Sequence, residues 1–444
     1  IDKNQKEYVL REQMQAIRKE LGDDEQSEAD TFAEKVEKLK APAEVKTKLK
    51  KEIKRLRNLG SNNAESSVVH NYIETMLEMP WDKVSKDRND LNVVRVLVRR
   101  DIDEIAAIAT RNFDDILNDT AIDTVVEVMG GLHPAYEFVS AALQAKKNVV
   151  TANKALIAAY YTELTALAKE NGVALRCTAA VGGGIPWLVN LERCKRLDNI
   201  TEVGGIMNGT TNFIMDAMHT SPVDFPTILK KAQDLGYAEA DPSADIDGDD
   251  IRRKLTISAN IAFDALLNEE SIPTFGIRTV TDGDIAAFQS HGFVCKMLAT
   301  AQKCGDKVCA MIEPTLVDAH DLEAAVPTNY NLISYTAEKI GRQSFFGQGA
   351  GRFPTASNVV QDCLDIIAGQ TAFYTDAMTP AALEDAVAHP YYVRTACSDK
   401  WLDDITVDRW DGGVITSSVS SYEMIRWAKA QLAKDPTCFI AGIR

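Results

Sequence analysis

The sequence lacks the marks of secreted, membrane-spanning and nucleic-acid-binding proteins. Its 8 cysteines stand singly with no Cys-x-x-Cys pair, so neither a zinc module nor a disulfide framework is indicated, and a reducing cytoplasm fits. No apolar run approaches the ~20 residues that a membrane helix requires. The net charge of −16 argues against general nucleic-acid binding, which needs a basic footprint. We therefore expect a cytoplasmic protein with no nucleic-acid or membrane partner.

Residues 1–91 differ from the rest, because they are nearly neutral and contain only two glycines, Gly22 and Gly60. Apolar residues recur there at spacings of three and four, which predicts helices with one narrow apolar stripe. The stripes are Leu10, Met14, Ile17 and Leu21, then Phe32, Val36 and Leu39, then Val45, Leu49, Ile53 and Leu56. A further helix is predicted from Ala64 to Glu78. We expect a helical or coiled-coil arm, solvated except along one face.

From residue 92 onwards, strands alternate with helices, which predicts a parallel, doubly wound sheet of the α/β class. The predicted strands are 93–98, 122–129, 148–151 and 173–181, and the predicted helices are 134–146 and 154–170. The expected domains are a nucleotide-binding domain (92–180 with part of 340–370), an α+β substrate and dimerisation domain (181–369) and a C-terminal region (370–444).

A lysine follows the predicted strand 148–151, in the segment Thr151-Ala152-Asn153-Lys154. The carboxyl edge of an open parallel sheet is where ligands bind. A lysine is electrostatically disfavoured at the start of a helix, which adds some weight to a functional role. Lys154 is therefore either a site residue or an ordinary surface lysine.

Six carboxylates crowd into residues 239–250, just before a helix that contains Lys254. Asp250 and Lys254 stand one helical turn apart on the same face. The cluster fits cation binding, recognition of an ammonium group, or acid–base chemistry beside a lysine. The alternative is a solvated acidic turn in which Asp249 or Asp250 caps the helix. An EF-hand is a poor match, because its ligand spacing and closing glutamate are absent.

Three glycine-containing segments, 182–186, 208–212 and 347–351, precede predicted helices. Such loops offer backbone N–H groups to anions and polar ligands, although tight turns also require glycine. The third segment is similar to a dinucleotide fingerprint. However, Arg352 takes the place of its third glycine, so we do not assign it as a pyrophosphate loop.

Together these motifs resemble homoserine dehydrogenase over residues 93–368. The resemblance rests on Val-Glu-Val-Met-Gly-Gly at 126–131, Thr-Ala-Asn-Lys at 151–154, Ala-Val-Gly-Gly-Gly-Ile-Pro at 180–186, Asn-Gly-Thr-Thr-Asn at 208–212, and on 236–241, 248–254 and 349–357. It implies an oxidoreductase of threonine and methionine biosynthesis that interconverts L-homoserine and L-aspartate semialdehyde with NAD or NADP. It also implies a Rossmann-like fold and a homodimer or higher homo-oligomer.

The resemblance assigns the catalytic and substrate-binding residues. Lys254 is expected to give and take the proton of the substrate oxygen, with Lys154 as its partner near the nicotinamide and Asp250 organising the pocket. Glu239 is expected to hold the substrate ammonium group. Asp245, Asn208 and Thr210 complete the expected substrate contacts.

The resemblance also assigns cofactor and cation contacts. The expected cofactor contacts are Arg99, Gly130, Lys154, Gly236 and Gly349. Backbone oxygens of Val181, Gly183 and Ile185 are expected to hold a sodium ion, although the family often has a glutamate where this chain has Thr178. Arg99 and Arg100 follow strand 93–98, where arginine suits the 2′-phosphate of NADP. Residues 370–444 are weakly similar to the regulatory ACT domain of the family.

The chain departs from the family just before residue 93, where the family has a strand and a Gly-x-Gly-x-x-Gly turn. Residues 1–91 instead resemble the helical segment before the ATPase module of Lon protease, through 7–14, 19–22, 66–72 and Met-Pro-Trp at 79–81. Lon's nucleotide loop and serine–lysine dyad are absent, which excludes protease activity. We therefore expect either an oxidoreductase impaired by the lost loop, or a non-catalytic chimera whose arm mediates association.

Overall fold

The structure is a computed structural model that describes residues 13, 25–58, 64–79, 81 and 91–444. The chain divides into two compact units, Ile1–Asn89 and Asp90–Arg444. The predicted stripe formed by Leu10, Met14, Ile17 and Leu21 lies outside the described residues. None of the described helices is long and apolar enough to cross a membrane.

The first unit contains three described helices, α1 (Glu25–Lys38), α2 (Ala43–Asn58) and α3 (Ala64–Glu78). Their predicted apolar stripes face one another, because Phe32, Val36, Leu49 and Ile53 are buried in one cluster. Leu39, Val45 and Leu56 pack against the same cluster. The helical prediction is confirmed for these stripes and for the bounds of α3.

The second unit begins with a parallel sheet that is divided into two pieces. One piece pairs β1 (Val96–Leu97) with β2 (Ala109–Thr110), and the other has the order β3 (Thr124–Glu127), β4 (Asn148–Thr151), β5 (Leu175–Arg176). Helices α4 (Asp114–Leu117), α5 (Ala135–Gln144) and α6 (Lys154–Asn171) connect them. In the described part of the chain, no strand pairs with the free edge of β3. This is a Rossmann-like arrangement with a gap.

Two predicted strands are longer than the strands that form, and the first is also less buried than predicted. Of 93–98, a two-residue strand forms, and Val93 is 67% exposed because no neighbouring strand covers it. Of 173–181, residues Leu175–Arg176 are extended, while Thr178–Ala180 form a 3₁₀ turn that leads into the glycine loop. By contrast, β4 has the predicted bounds, and α6 begins at Lys154 as predicted.

The substrate domain is built on an antiparallel sheet covered by helices. The strands of this domain are β6 (Ile200–Ile206), β7 (Ala265–Leu266), β8 (Phe293–Cys304), β9 (Lys307–Asp318), β10 (Tyr330–Ala337) and β11 (Gly341–Gln348), of which β7 lies outside the antiparallel sheet. Its helices are α7 (Trp187–Lys195), α8 (Gly209–Thr220), α9 (Phe225–Asp234), α10 (Ser243–Ile246), α11 (Asp249–Phe263), α12 (Asp282–Ser290) and α13 (Arg352–Ile367). Helix α13 returns to the first sheet, where Val359 and Cys363 pack against Val150 of β4.

The C-terminal region extends this sheet. It adds β12 (Thr379–Pro380), β13 (Ala388–His389), β14 (Tyr391–Arg394), α14 (Lys400–Ile405), β15 (Thr406–Trp410), β16 (Gly413–Thr416), β17 (Val419–Ser420), α15 (Ser421–Leu432) and β18 (Phe439–Ile443). The nine-stranded order is β11-β10-β6-β8-β9-β18-β14-β16-β15, with β18 parallel to β9. The βαββαβ order of the region is ferredoxin-like. The similarity to an ACT domain stays a prediction.

Candidate active site

Three charged side chains meet where the first sheet adjoins the substrate domain. Asp250, the second residue of α11, is 6% exposed and lies between two lysines. Lys254 Nζ lies 2.7 Å from one carboxylate oxygen, and Lys154 Nζ donates a short hydrogen bond to the other. Lys254 also donates to the backbone oxygen of Met207 at 2.8 Å. The structure therefore brings together Lys154, Asp250 and Lys254 from two different domains.

The electrostatics of the cluster keep Asp250 ionised. Burial alone would raise the pKa of Asp250, but the positive charges of Lys254 and Lys154 outweigh it and hold this pKa well below its usual range. The neighbouring Asp245 behaves differently, because burial raises its pKa although its bond to Asn208 opposes the shift. The site thus contains one carboxylate that stays charged and one that protonates more readily.

Asn208 connects the two carboxylates. Its side-chain nitrogen donates to Asp245 at 2.7 Å and to Asp250 at 2.9 Å, while its side-chain oxygen accepts from Thr211 N at 2.8 Å and caps α8. Thr210, in the first turn of α8, donates its hydroxyl to the backbone oxygen of Tyr237 at 2.6 Å. Asn208 therefore lies in the site itself, whereas Thr210 holds the turn that follows α9.

Glu239 lies apart from the cluster. Its side chain is exposed and makes no hydrogen bond or ion pair that involves the described residues, while its backbone oxygen accepts from Gln233 at 3.1 Å. The structure does not bring Glu239 into contact with Asp250 or the lysines. Its carboxylate is accessible to a ligand.

Glu127 is a site-organising residue that our sequence analysis missed. It ends β3, is 3% exposed, and accepts from Thr151 Oγ1 at 2.5 Å and from Met129 N at 2.6 Å. Asn153, which caps α6 through Leu156 N, donates to Gly131 O at 2.7 Å. These bonds tie the start of α6, and hence Lys154, to the turn after β3. A carboxylate inside the apolar run 124–129 was the available signal.

The predicted cofactor contacts lie on several separate turns and loops. Gly130 and Gly236 have positive φ of 74° and 75° with open space where a Cβ would stand, so both turns present bare backbone. Gly349 packs against the glycine loop, since a Cβ on Gly183 would lie 2.5 Å from its carbonyl oxygen. Arg99 and Arg100 are exposed just after β1.

Two of the predicted sodium ligands, the backbone oxygens of Gly183 and Ile185, already accept hydrogen bonds from a side chain. Asn358 donates its side-chain nitrogen to Gly183 O at 2.6 Å and to Ile185 O at 2.9 Å, so an N–H group holds both oxygens. Thr178, where the family often has glutamate, donates its hydroxyl to Asp362 at 2.6 Å. Among the described residues, no group of three or more His, Cys, Asp or Glu could hold a metal.

Comparison with known families decides what this site belongs to. Residues 186–364 match the homoserine dehydrogenase family, and residues 74–178 match the homoserine dehydrogenase NAD binding domain. The homoserine dehydrogenase of Synechocystis sp. is 39% identical over 309 residues, which cover 66% of this chain and 71% of that protein. The chain belongs to the homoserine dehydrogenase family.

Other relatives of the family agree. The Bacillus subtilis homoserine dehydrogenase is 39% identical over 282 residues, and the match spans 65% of that protein and 62% of this chain. The structure of a homoserine dehydrogenase from Thiobacillus denitrificans superposes with a TM-score of 0.69 at 33% identity, covering 79% of this chain and 90% of that one. A hyperthermophilic archaeal homoserine dehydrogenase mutant in complex with NADPH superposes with a TM-score of 0.51 at 26% identity, covering 58% of this chain and 75% of that one.

These matches bear on the predictions in two ways. They fall on both the nucleotide-binding and the substrate domain, and they give no support to the non-catalytic chimera. The NAD-binding match begins at residue 74, inside α3, whereas we predicted the start of the enzyme-like part near residue 92. The Lon-like nature of the arm is not confirmed by these matches.

Proposed function

We propose that the chain interconverts L-homoserine and L-aspartate semialdehyde with NAD or NADP. The observation that carries this proposal is the Lys154–Asp250–Lys254 cluster, which joins the carboxyl edge of the parallel sheet to the substrate domain. Ligands bind at that edge in open α/β sheets. An assay of homoserine-dependent cofactor reduction tests the proposal.

Lys254 is the residue that we assign to proton transfer. Its nitrogen lies 2.7 Å from Asp250, and its ammonium group can donate a proton to the carbonyl oxygen of the semialdehyde during reduction. In the oxidation direction, the same nitrogen takes the hydroxyl proton from homoserine. Asp250 orients both lysines, and Lys154 supplies a second positive charge beside the substrate oxygen. A positioned general acid of this kind contributes roughly 10²–10⁴-fold to the rate.

The chain also offers groups for the amino-acid part of the substrate. The exposed carboxylate of Glu239 can accept hydrogen bonds from an ammonium group. Asn208 bonds to both Asp245 and Asp250, so these groups lie close together. Charge-assisted hydrogen bonds of this kind are stronger than neutral ones. We assign Glu239 to recognition of the substrate ammonium group.

Substitution of Glu239 tests that assignment. We expect Glu239→Gln to raise KM for homoserine by about 10- to 100-fold with little change in kcat, because a charge-assisted bond contributes roughly 1.5–3 kcal/mol. Steady-state kinetics in homoserine give both constants. Asp234→Asn, an exposed carboxylate paired with Lys230 on α9, is the matched control and should leave KM unchanged. A KM for Glu239→Gln within twofold of the parent would contradict the assignment.

The turns that carry Gly130 and Gly236, together with Lys154, would hold the nicotinamide end of the cofactor. A bound oxidised nicotinamide would supply the hydride-accepting ring. Glu127 bonds to the turn at Gly130–Gly131 and thereby holds this turn at a fixed distance from the start of α6. The residues present therefore fit the nicotinamide end, whereas a pyrophosphate turn has no counterpart among the described residues.

We further propose that NADP is preferred over NAD. Arg99 and Arg100 are exposed at the end of β1, where a guanidinium suits a 2′-phosphate. We expect Arg99→Ala with Arg100→Ala to reduce the NADP-over-NAD affinity ratio by about tenfold or more. Titration of both cofactors measures the ratio, with Arg196→Ala of the substrate domain as control. Tighter binding of NAD than NADP by the parent chain would contradict the preference.

The arm and the assembly are also proposals. Helices α1 to α3 bury a common apolar cluster, which supports a helical arm like that before the Lon ATPase module. We propose that the enzyme is a homodimer or higher homo-oligomer. The cytoplasmic location stays a prediction from the unpaired cysteines.

A further inference from the structure

A short segment packs against the loop that connects the two site carboxylates, Asp245 and Asp250. We name residues 274–279 the strap. The backbone N–H of Ile277 in the strap donates to the backbone oxygen of Ile246 at 2.9 Å. Ile246 lies between Asp245 and Asp250 in the chain. A Cβ on Gly276 would lie 2.2 Å from the same oxygen, so glycine is required for this approach. The strap therefore contacts the backbone of the loop directly.

Arg278 of the strap holds the middle of the loop by its side chain. Its Nε donates to one oxygen of Asp247 at 2.9 Å and its Nη2 to the other at 2.6 Å, which is a two-pronged pair. Nη2 also donates to Ser243 Oγ at 3.1 Å. These bonds, first of all those to Asp247, raise the pKa of Arg278 above its ordinary value. The carboxylate of Asp247 is thus held by Arg278.

The ion pair between Arg278 and Asp247 adds little to the stability of the whole fold. The side chains of Arg278 and Asp247 are 52% and 43% exposed, and exposed ion pairs contribute little to the free energy of unfolding. The loop that they fix, however, has four residues between Asp245 and Asp250. A shift of Asp247 would therefore move Asp245 relative to the Asp250–Lys254 pair.

The other end of the strap is held by the C-terminal region. Arg394 of β14 donates through Nη2 to Thr279 O at 2.6 Å and through Nε to Asp284 at 2.8 Å. Thr279 donates its hydroxyl to Cys438 O at 2.7 Å. The same six-residue strap thus contacts the substrate pocket on one side and the C-terminal region on the other.

We propose that Arg278 is a positioning residue for the substrate pocket. By holding Asp247 it fixes the spacing of Asp245 and Asp250, and through Thr279 that spacing is linked to Arg394 of the C-terminal region. The proposal rests on the proposed function, because homoserine is the ligand whose binding reports the spacing.

The test uses the full chain and two readouts. Calorimetry in the presence of NADPH, which does not oxidise homoserine, measures homoserine binding, and amide hydrogen exchange follows residues 243–250. We expect Arg278→Ala to weaken homoserine binding by about tenfold, within the range found for couplings carried by side-chain networks. Exchange in 243–250 should accelerate, while the midpoint of thermal unfolding stays unchanged. Arg278→Lys should recover only part of the loss, because an ammonium group cannot form the two-pronged pair.

Lys307→Ala is the matched control. Lys307 forms an ion pair with Glu384 at 2.5 Å, and the two side chains are 46% and 36% exposed. This pair lies near the start of β6, whereas Met207 follows the end of that strand. It should change neither readout. Equal homoserine affinity in the parent and Arg278→Ala would overturn the proposal, whatever the exchange shows. If the parent bound no homoserine, the proposed function would fail, and unchanged exchange in Arg278→Ala would separately overturn the role of Arg278.

Discussion

Lys254→Met is expected to lower kcat for homoserine oxidation and for semialdehyde reduction by roughly 10²–10⁴-fold. The reason is that Lys254 is the buried nitrogen held between Asp250 and Met207 O, at 2.7 and 2.8 Å, which places it to exchange the proton of the substrate oxygen. Methionine keeps the length and apolar stem of lysine but cannot carry the proton. Steady-state kinetics in both directions measure the effect.

The variant should still fold, because Asp250 keeps its bonds to Lys154 and Asn208. Circular dichroism and the midpoint of thermal unfolding check this. Lys230→Met is the matched control, since Lys230 also forms an ion pair with an aspartate four residues away, Asp234, but on the exposed face of α9. A folded Lys254→Met that retained activity within threefold of the parent would refute the proton-transfer role.

Cofactor binding by this chain is expected to be weaker than that of the Bacillus subtilis relative by on the order of a hundredfold or more. Affinity for the pyrophosphate normally comes from N–H groups of a glycine turn at a helix start. Each charge-assisted hydrogen bond lost there removes roughly 1.5–3 kcal/mol, and two losses give the stated factor. In the described residues, β1 pairs with β2 and β3 with β4, so the two parallel pieces are not joined by a further strand.

Calorimetry with NADP and NAD on both proteins measures the difference. The same titration with Lys154→Ala serves as an internal check, because loss of a nicotinamide contact should weaken binding further. Micromolar binding by the parent chain, equal to that of the relative, would contradict this prediction and would show that another segment takes the place of the glycine turn.

Local patterns predicted the elements that depend on their own residues. The β-branched run Asn148–Thr151 and the cap at Asn153 specify a strand and a helix start, and both occur at the predicted positions. Of the predicted strand 93–98, residues Val96–Leu97 form a strand that pairs with β2, whereas Val93 is exposed because no neighbouring strand covers it. The spacing of α-helical residues likewise predicted that Asp250 and Lys254 share one face.

Long-range contacts were beyond local patterns. Nothing in the sequence around Asp247 indicates that Arg278, 31 residues away, holds its carboxylate. The C-terminal region was predicted as a separate short region, whereas β18 joins β9 and makes one nine-stranded sheet, because strand pairing is decided by tertiary contacts. Glu127 was missed for the same reason, since its partners Thr151 and Asn153 lie on the next strand and turn.

We propose that the Lys154–Asp250–Lys254 cluster makes this chain an active dehydrogenase of L-homoserine. The most direct measurement is homoserine-dependent reduction of NADP at cofactor concentrations high enough to offset weak binding, in the parent and in Lys254→Met. We expect reduction that depends on homoserine in the parent and falls at least a hundredfold in the variant. Absence of homoserine-dependent reduction in the folded parent, or equal rates in the two proteins, would contradict it.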